Sequence, residues 1–156
     1  MSVAQQLTSL KASLPASVTL VAVSKTHPAE TIREAYEAGQ RIFGENRVQE
    51  MQAKQAQLPS DIEWHLIGHL QSNKVKDIAP FVSLIHSVDS LKLLQEIDKQ
   101  ALKNNRIIDV LLQVYIASEE TKFGMDIQEV SALLQSPDIR KLRQIRICGL
   151  MGMATH

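Results

Sequence analysis

The stretch Val18-Thr19-Leu20-Val21-Ala22-Val23-Ser24-Lys25 decides the fold of this chain. Its aliphatic residues form a short run without helical spacing, the pattern of a strand buried on both faces. Thr26-His27-Pro28 follows at once, and Ile32, Ala35, Tyr36 and Ala38 then recur at helical intervals up to Gly39. A proline in the first turn and a glycine after the last delimit a helix. Lys25 therefore stands where a buried strand enters its loop. Such a lysine keeps its stem in the apolar interior and its amine at the rim of a parallel sheet, where α/β folds carry out their chemistry. The plainer alternative is a lysine that snorkels to solvent.

The same strand-then-helix pattern repeats along the chain. Strands are predicted over 41–46, 62–69, 84–88, 108–116 and 145–153, giving six with the first. Helices are predicted over 48–58, from Ser72-Asn73-Lys74 towards Pro80, and through Leu93, Leu94, Ile97 and Leu102. Asp89 and Ser90 are candidate caps for the last of these. Asp126 and Glu129 make a capping-box start for a helix over 127–134, and residues 1–14 form a short amphipathic helix. Strict alternation of strands and helices predicts an α/β fold with a mostly parallel sheet. No G-x-G-x-x-G or G-x-x-x-x-G-K loop supports a doubly wound sheet. Polar residues instead close many strand ends: Lys25, Glu45-Asn46, His69, His86-Ser87, Gln113 and the segment 151–155. That is the signature of a TIM-type (β/α) barrel. Such a barrel has eight strands and at least ~200 residues, with a phosphate site after the last two strands. Residues 1–156 are accordingly expected to form a single, incomplete barrel domain, truncated at its C-terminus, from a longer protein.

Composition narrows the function classes. The 156 residues are 44% hydrophobic and carry 17 basic against 17 acidic side chains. A neutral balance argues against a general nucleic-acid binder or a polybasic membrane-surface protein. The N-terminal segment has neither the apolar core of a signal peptide nor the length of a membrane span. Cys148 is the only cysteine; its apolar surroundings predict a small buried filler, and no disulfide can form within the chain. A soluble cytoplasmic protein is expected.

Several candidate sites compete. His65 and His69 have i, i+4 spacing, but along a strand that spacing spans ~13 Å, too far for one zinc with ~2.0–2.1 Å bonds. His65 is expected to pack in the interior and His69 to face the barrel mouth. Ser24 and Ser87 lie near strand ends without a nucleophile elbow. Glu45 and Asp89 could form a carboxylate pair, although neighbouring Asn46 and Ser90 suit helix capping. Lys25 is the stronger candidate. A partly desolvated lysine amine condenses with aldehydes, and aldehyde cofactors of this kind carry a phosphate that backbone amides can hold.

Several segments together resemble one family. They are Val21-Ala22-Val23-Ser24-Lys25, Phe43-Gly44-Glu45-Asn46-Arg47-Val48-Gln49-Glu50 and Trp64-His65-Leu66-Ile67-Gly68-His69-Leu70-Gln71-Ser72-Asn73-Lys74. His86-Ser87-Val88-Asp89-Ser90, the loop 118–125 and Gly149-Leu150-Met151-Gly152-Met153-Ala154-Thr155 complete the set. In this order they resemble the YggS-type pyridoxal phosphate homeostasis proteins. The resemblance implies a fold-type III barrel like the N-terminal domain of alanine racemase. It also implies pyridoxal 5'-phosphate held as an internal aldimine on Lys25, with Asn46 and Met151 lining the cofactor face. The family commonly has Gly-Pro where this chain has Gly68-His69. Its phosphate-binding Ser-Met-Gly-Met-Ser and Arg-Ile-Gly stretches have no counterpart here, so weak cofactor retention is expected.

The resemblance further implies a protein of vitamin B6 homeostasis without established catalysis. PLP-dependent apoenzymes are its implied partners, and the full-length form is expected to be a monomer or weak homodimer that binds neither nucleic acid nor membrane. The alternative is a fold-type III enzyme acting on amino acids. Racemisation would need a tyrosine from a second domain, whereas Tyr36 and Tyr115 are expected to be packing residues. A third reading is an interaction fragment completed by a partner's strands.

Overall fold

The structure, a computed structural model, describes residues 1–116 and 123–154. Of the segments quoted above, residues 118–122 and Thr155 lie outside that range. The elements alternate as expected: α1 (Val3–Ser13), β1 (Ala22–Val23), α2 (Ala29–Glu37), β2 (Ile42–Glu45), α3 (Val48–Gln57) and β3 (Glu63–Leu66). A 3₁₀ turn (Ser72–Lys74) then leads into α4 (Val75–Ile78), followed by β4 (Leu84–Val88), α5 (Leu91–Lys103), β5 (Ile108–Val114), α6 (Ile127–Gln135) and β6 (Ile145–Gly152).

The six strands make one sheet in the order β1-β2-β3-β4-β5-β6, and every neighbouring pair is parallel. Because the order never reverses, right-handed crossovers place successive helices on one face and leave the other open. This is the wall of a TIM-type barrel. Strand alternation assigns the side chains to the two faces. Phe43 lies beside Trp64, Leu66 beside Ile85, and Ile85 beside Val110 in register. These residues turn to the helices and are at most 2% exposed. Met51, Ile78, Leu94 and Ile97 close the same core. Gly44, His65, Leu84 and Asp109 occupy the opposite, inner parity.

Capping residues set several helix boundaries. Ser2 with Gln5 and Asp126 with Glu129 each form a capping box, and the Ser90 hydroxyl accepts from the Leu93 amide. Asp89 makes no such cap. Gly39 ends α2 with φ +106°, a conformation that L side chains avoid. Asn46 is not a cap either: the N-cap position of α3 falls on Arg47, which makes no side-chain cap bond.

Two expectations need correction. The buried strand over 18–25 reduces to Ala22–Val23, and Val18 and Val23 are 49% and 51% exposed. Among the described residues β1 is an edge strand, with a neighbour on one side only. The Gln40 amide nitrogen donates to the carbonyls of Leu20 and Ile42, a side-chain bridge where a ladder would otherwise run. Cys148 is exposed rather than buried. It falls where the β5–β6 register slips between Val110 and Leu111, and β6 is the other edge of the sheet.

Candidate functional site at the C-terminal rim of the sheet

Lys25 continues the parity of Val21 and Val23, the inner one. The backbone ladder extends one step beyond β1, the Ser24 amide donating to the Gly44 carbonyl at 2.9 Å. Since Val23 is level with Gly44, Lys25 and Asn46 leave adjacent strands at the same height, where neighbouring strands are ~4.8 Å apart. Lys25 is exposed. The apolar sheath expected around its stem is absent among the described residues, because β1 has no neighbour on its outer edge. Its amine is accessible at the rim, which the snorkelling alternative also describes.

A charged cluster holds the chain on both sides of Lys25. Phe43 and Glu45 share one strand face, so Glu45 turns beneath the sheet towards α3 and not, as expected, to the mouth. Glu45 is fully buried and Lys54 is 6% exposed. The Lys54 ammonium donates to the Ser24 carbonyl at 2.7 Å, to Glu45 Oε2 at 2.9 Å and to Glu50 Oε2 at 2.6 Å. All three of its donors are thereby satisfied. The Ser24 hydroxyl donates to Glu45 Oε2, and the Thr26 amide donates to Glu50 Oε2 at 2.6 Å. The hydrogen bond from Lys54 holds the Glu50 carboxyl below its ordinary range; partial burial opposes that shift and the Thr26 amide reinforces it. Thr26 itself has φ +66°, costly for a β-branched residue.

The other expected residues divide. Asn46 is half-buried and lines a rim cavity of about 210 Å³ with Arg47, Gln49, His69, Gln71 and Lys74. Two cations and no carboxylate among those residues suit an anionic group. Met151 is half-buried and paired in register with Gln113, far along the sheet order from Lys25. Gly68 fixes the height of Asn46: a Cβ there would lie 2.5 Å from the Asn46 carbonyl oxygen. Gly68→Ala should therefore displace Asn46 and cost about 1–3 kcal/mol, to be checked by urea unfolding. An unchanged midpoint would show that the loop yields freely.

His65 does not pair with His69. It is 9% exposed, and its Nδ1 lies 3.0 Å from Nε2 of His86. Burial, aided by the neighbouring imidazole, lowers the His65 pKa to about 4, and burial lowers that of His86. One ring donates to the other as a neutral pair. His69 does reach the rim, with its ring centroid 5.1 Å from that of Phe123. Tyr36 is more than packing: its hydroxyl donates to Asp61, and the Arg41 guanidinium carbon lies 3.8 Å from its ring centroid. Ser87 donates its hydroxyl to the Gly68 carbonyl. Neither serine is poised as a nucleophile, since Ser24 is committed to Glu45.

A (β/α) barrel wall with a lysine at the end of its first strand defines a class of protein. The chain belongs to the family described as the alanine racemase N-terminal domain, whose model matches residues 2–156. It is 45% identical over 138 residues to a pyridoxal phosphate homeostasis protein of Aquifex aeolicus, across 88% of this chain and 60% of that protein. Identity to the protein of the same name from Pseudomonas aeruginosa is 42% over 140 residues, across 89% and 60%. The chain thus spans about 60% of the length of these curated relatives. The structure of PipY from Synechococcus elongatus without PLP superposes with a TM-score of 0.90 at 48% identity, covering 97% of this chain and 70% of that one. The form with PLP bound gives 0.86 at 47% identity. An alanine racemase of Clostridium difficile gives 0.75 at 19% identity and shares the fold alone.

Proposed function

We propose that this chain is part of one cofactor-binding barrel domain that holds pyridoxal 5'-phosphate in vitamin B6 homeostasis, with Lys25 as its covalent anchor. The observation that carries this reading is the place of Lys25: at the C-terminal end of β1, on the inner parity, with an accessible amine. The kinship to proteins named for that role supports it. The residues fit the cofactor, since the rim offers an amine for an aldehyde and a cation-lined, carboxylate-free cavity for an anion. When bound, the cofactor supplies an aldehyde that a lysine amine captures reversibly. Lys25 would hold it, with Asn46 at its side on the neighbouring strand and Met151 on the far wall.

The reading is of a carrier and not of an enzyme. Tyr36 is committed to Asp61 and Arg41, so it is not free to act as a second base. No helix among the described residues is long and apolar enough to cross a membrane. A cytoplasmic location and delivery to PLP-dependent apoenzymes complete the proposal. Titration with pyridoxal phosphate should produce an imine absorbance band in the wild type. Lys25→Ala should lack the band while staying within about 0.5 kcal/mol of wild-type stability, as an exposed substitution does. A band that survives Lys25→Ala would refute the assignment of the anchor. Turnover of α-deuterium in any amino acid would favour the racemase-like alternative.

A further inference from the structure

The sequence segment Gly44-Glu45-Asn46-Arg47-Val48-Gln49-Glu50 supplies two carboxylates, and neither is placed to meet a ligand. Glu45 is fully buried on the helix side of the sheet. Glu50, with its side chain 26% exposed, accepts from Lys54 and from the backbone of Thr26. Three contacts of the cluster end on residues adjoining Lys25. Glu45 takes the Ser24 hydroxyl and Lys54 takes the Ser24 carbonyl, while Glu50 takes the Thr26 amide. Thr26 is held with positive φ, so the chain turns sharply right after the lysine. A backbone left free at that point would relax towards the ordinary β or α regions, and Lys25 would leave the strand in a different direction. Lys54 is the hub, and it sits on α3, outside the loop that it fixes.

We propose that Glu45, Glu50 and Lys54 are positioning residues that clamp the backbone on both sides of Lys25 and so aim its amine at the open face of the barrel wall. The proposal rests on the reading of Lys25 as the cofactor anchor. It assigns a role to the two acids of the motif that cofactor contact does not explain. An ordered amine captures an aldehyde more tightly than a mobile one, because less freedom is lost on attachment.

The test uses Glu50→Ala, which leaves the buried Glu45–Lys54 pair in place, with Glu30→Ala as a control on α2. In the cofactor-free chain, amide hydrogen exchange at Thr26 and His27, which donate to Glu50 and to the Ser24 carbonyl, should quicken about tenfold in Glu50→Ala and stay unchanged in Glu30→Ala. With pyridoxal phosphate added, Glu50→Ala should bind about tenfold more weakly while its urea midpoint stays near that of the wild type. Glu50→Gln keeps an oxygen that can accept from Thr26 and should recover part of both effects. Lys54→Met, the second variant, should give the same exchange signature wherever it remains folded. Unchanged exchange at these two amides would overturn the proposal, whatever the affinity does. So would faster exchange with affinity within twofold of the wild type. If the wild-type chain took up no cofactor on Lys25, the proposed function would fail, while the exchange measurement would still decide whether the clamp exists.

Discussion

Lys54→Met is expected to lower the unfolding free energy by ~3–5 kcal/mol. The reason is asymmetric. The ammonium is surrounded by two carboxylates and a carbonyl in a site where Lys54 is 6% and Glu45 0% exposed. Methionine matches the stem of the lysine but leaves Glu45 charged, buried and supported only by the Ser24 hydroxyl. Removing both charges together should cost much less, since a buried ion pair is offset by the desolvation of its two members. The double variant Glu45→Gln with Lys54→Met should therefore regain most of the loss, and the interaction term of the cycle should exceed about 1 kcal/mol. Urea unfolding of the four proteins provides the check. A loss below about 1 kcal/mol for Lys54→Met would mean that water reaches the cluster and that the charges are not confined.

Acid should destabilise this fold well before its carboxylates titrate. His65 is held neutral to about pH 4, against an ordinary 6.5. Between those values the unfolded chain binds the proton and the folded chain does not, so stability rises with pH across that window. It is fully present above about 6.5 and is lost progressively down to about 4. The difference corresponds to at most ~3.4 kcal/mol, and solvent screening through the half-buried His86 beside it reduces this to about 2 kcal/mol. Glu50 adds to the loss at lower pH. Its carboxyl is lowered in the folded state, so its contribution is present above the ordinary carboxylate pKa of ~4.3 and disappears as pH falls below it. Unfolding free energies measured from neutral pH downwards should show this decline, and His65→Gln should flatten its upper part. A profile that stays flat between about pH 6.5 and about pH 4 would contradict a buried neutral pair.

The alternation of elements was visible in the sequence because each boundary has a local cause. Pro28 and Gly39 bracket α2, Ser90 caps α5, and Asp126 with Glu129 opens α6. Lys25 was visible because it ends an aliphatic run. The length and burial of that run are not legible there, since the hydrophobicity of 18–23 says nothing about whether a neighbouring strand covers it. The exposure of Cys148 on β6 has the same cause. Glu45 ends a strand, which points to the mouth, whereas counting by two from Phe43 places it beneath the sheet. The signal for Lys54 lay in α3, where Val48, Met51 and Leu58 define an apolar stripe on which residue 54 also falls. Glu50 lies one i, i+4 step before it. The His65–His86 contact depends on the β3–β4 register, which pairs His65 with Leu84, and local sequence does not fix that register.

If Lys25 is the point at which this chain carries its cofactor, a covalent label must find it. Incubation with pyridoxal phosphate, reduction with borohydride and peptide mapping by mass spectrometry test it most directly. The added mass should fall on Lys25 and disappear in Lys25→Ala. A label on another lysine such as Lys74, or no stable label after loading and reduction, would contradict the account.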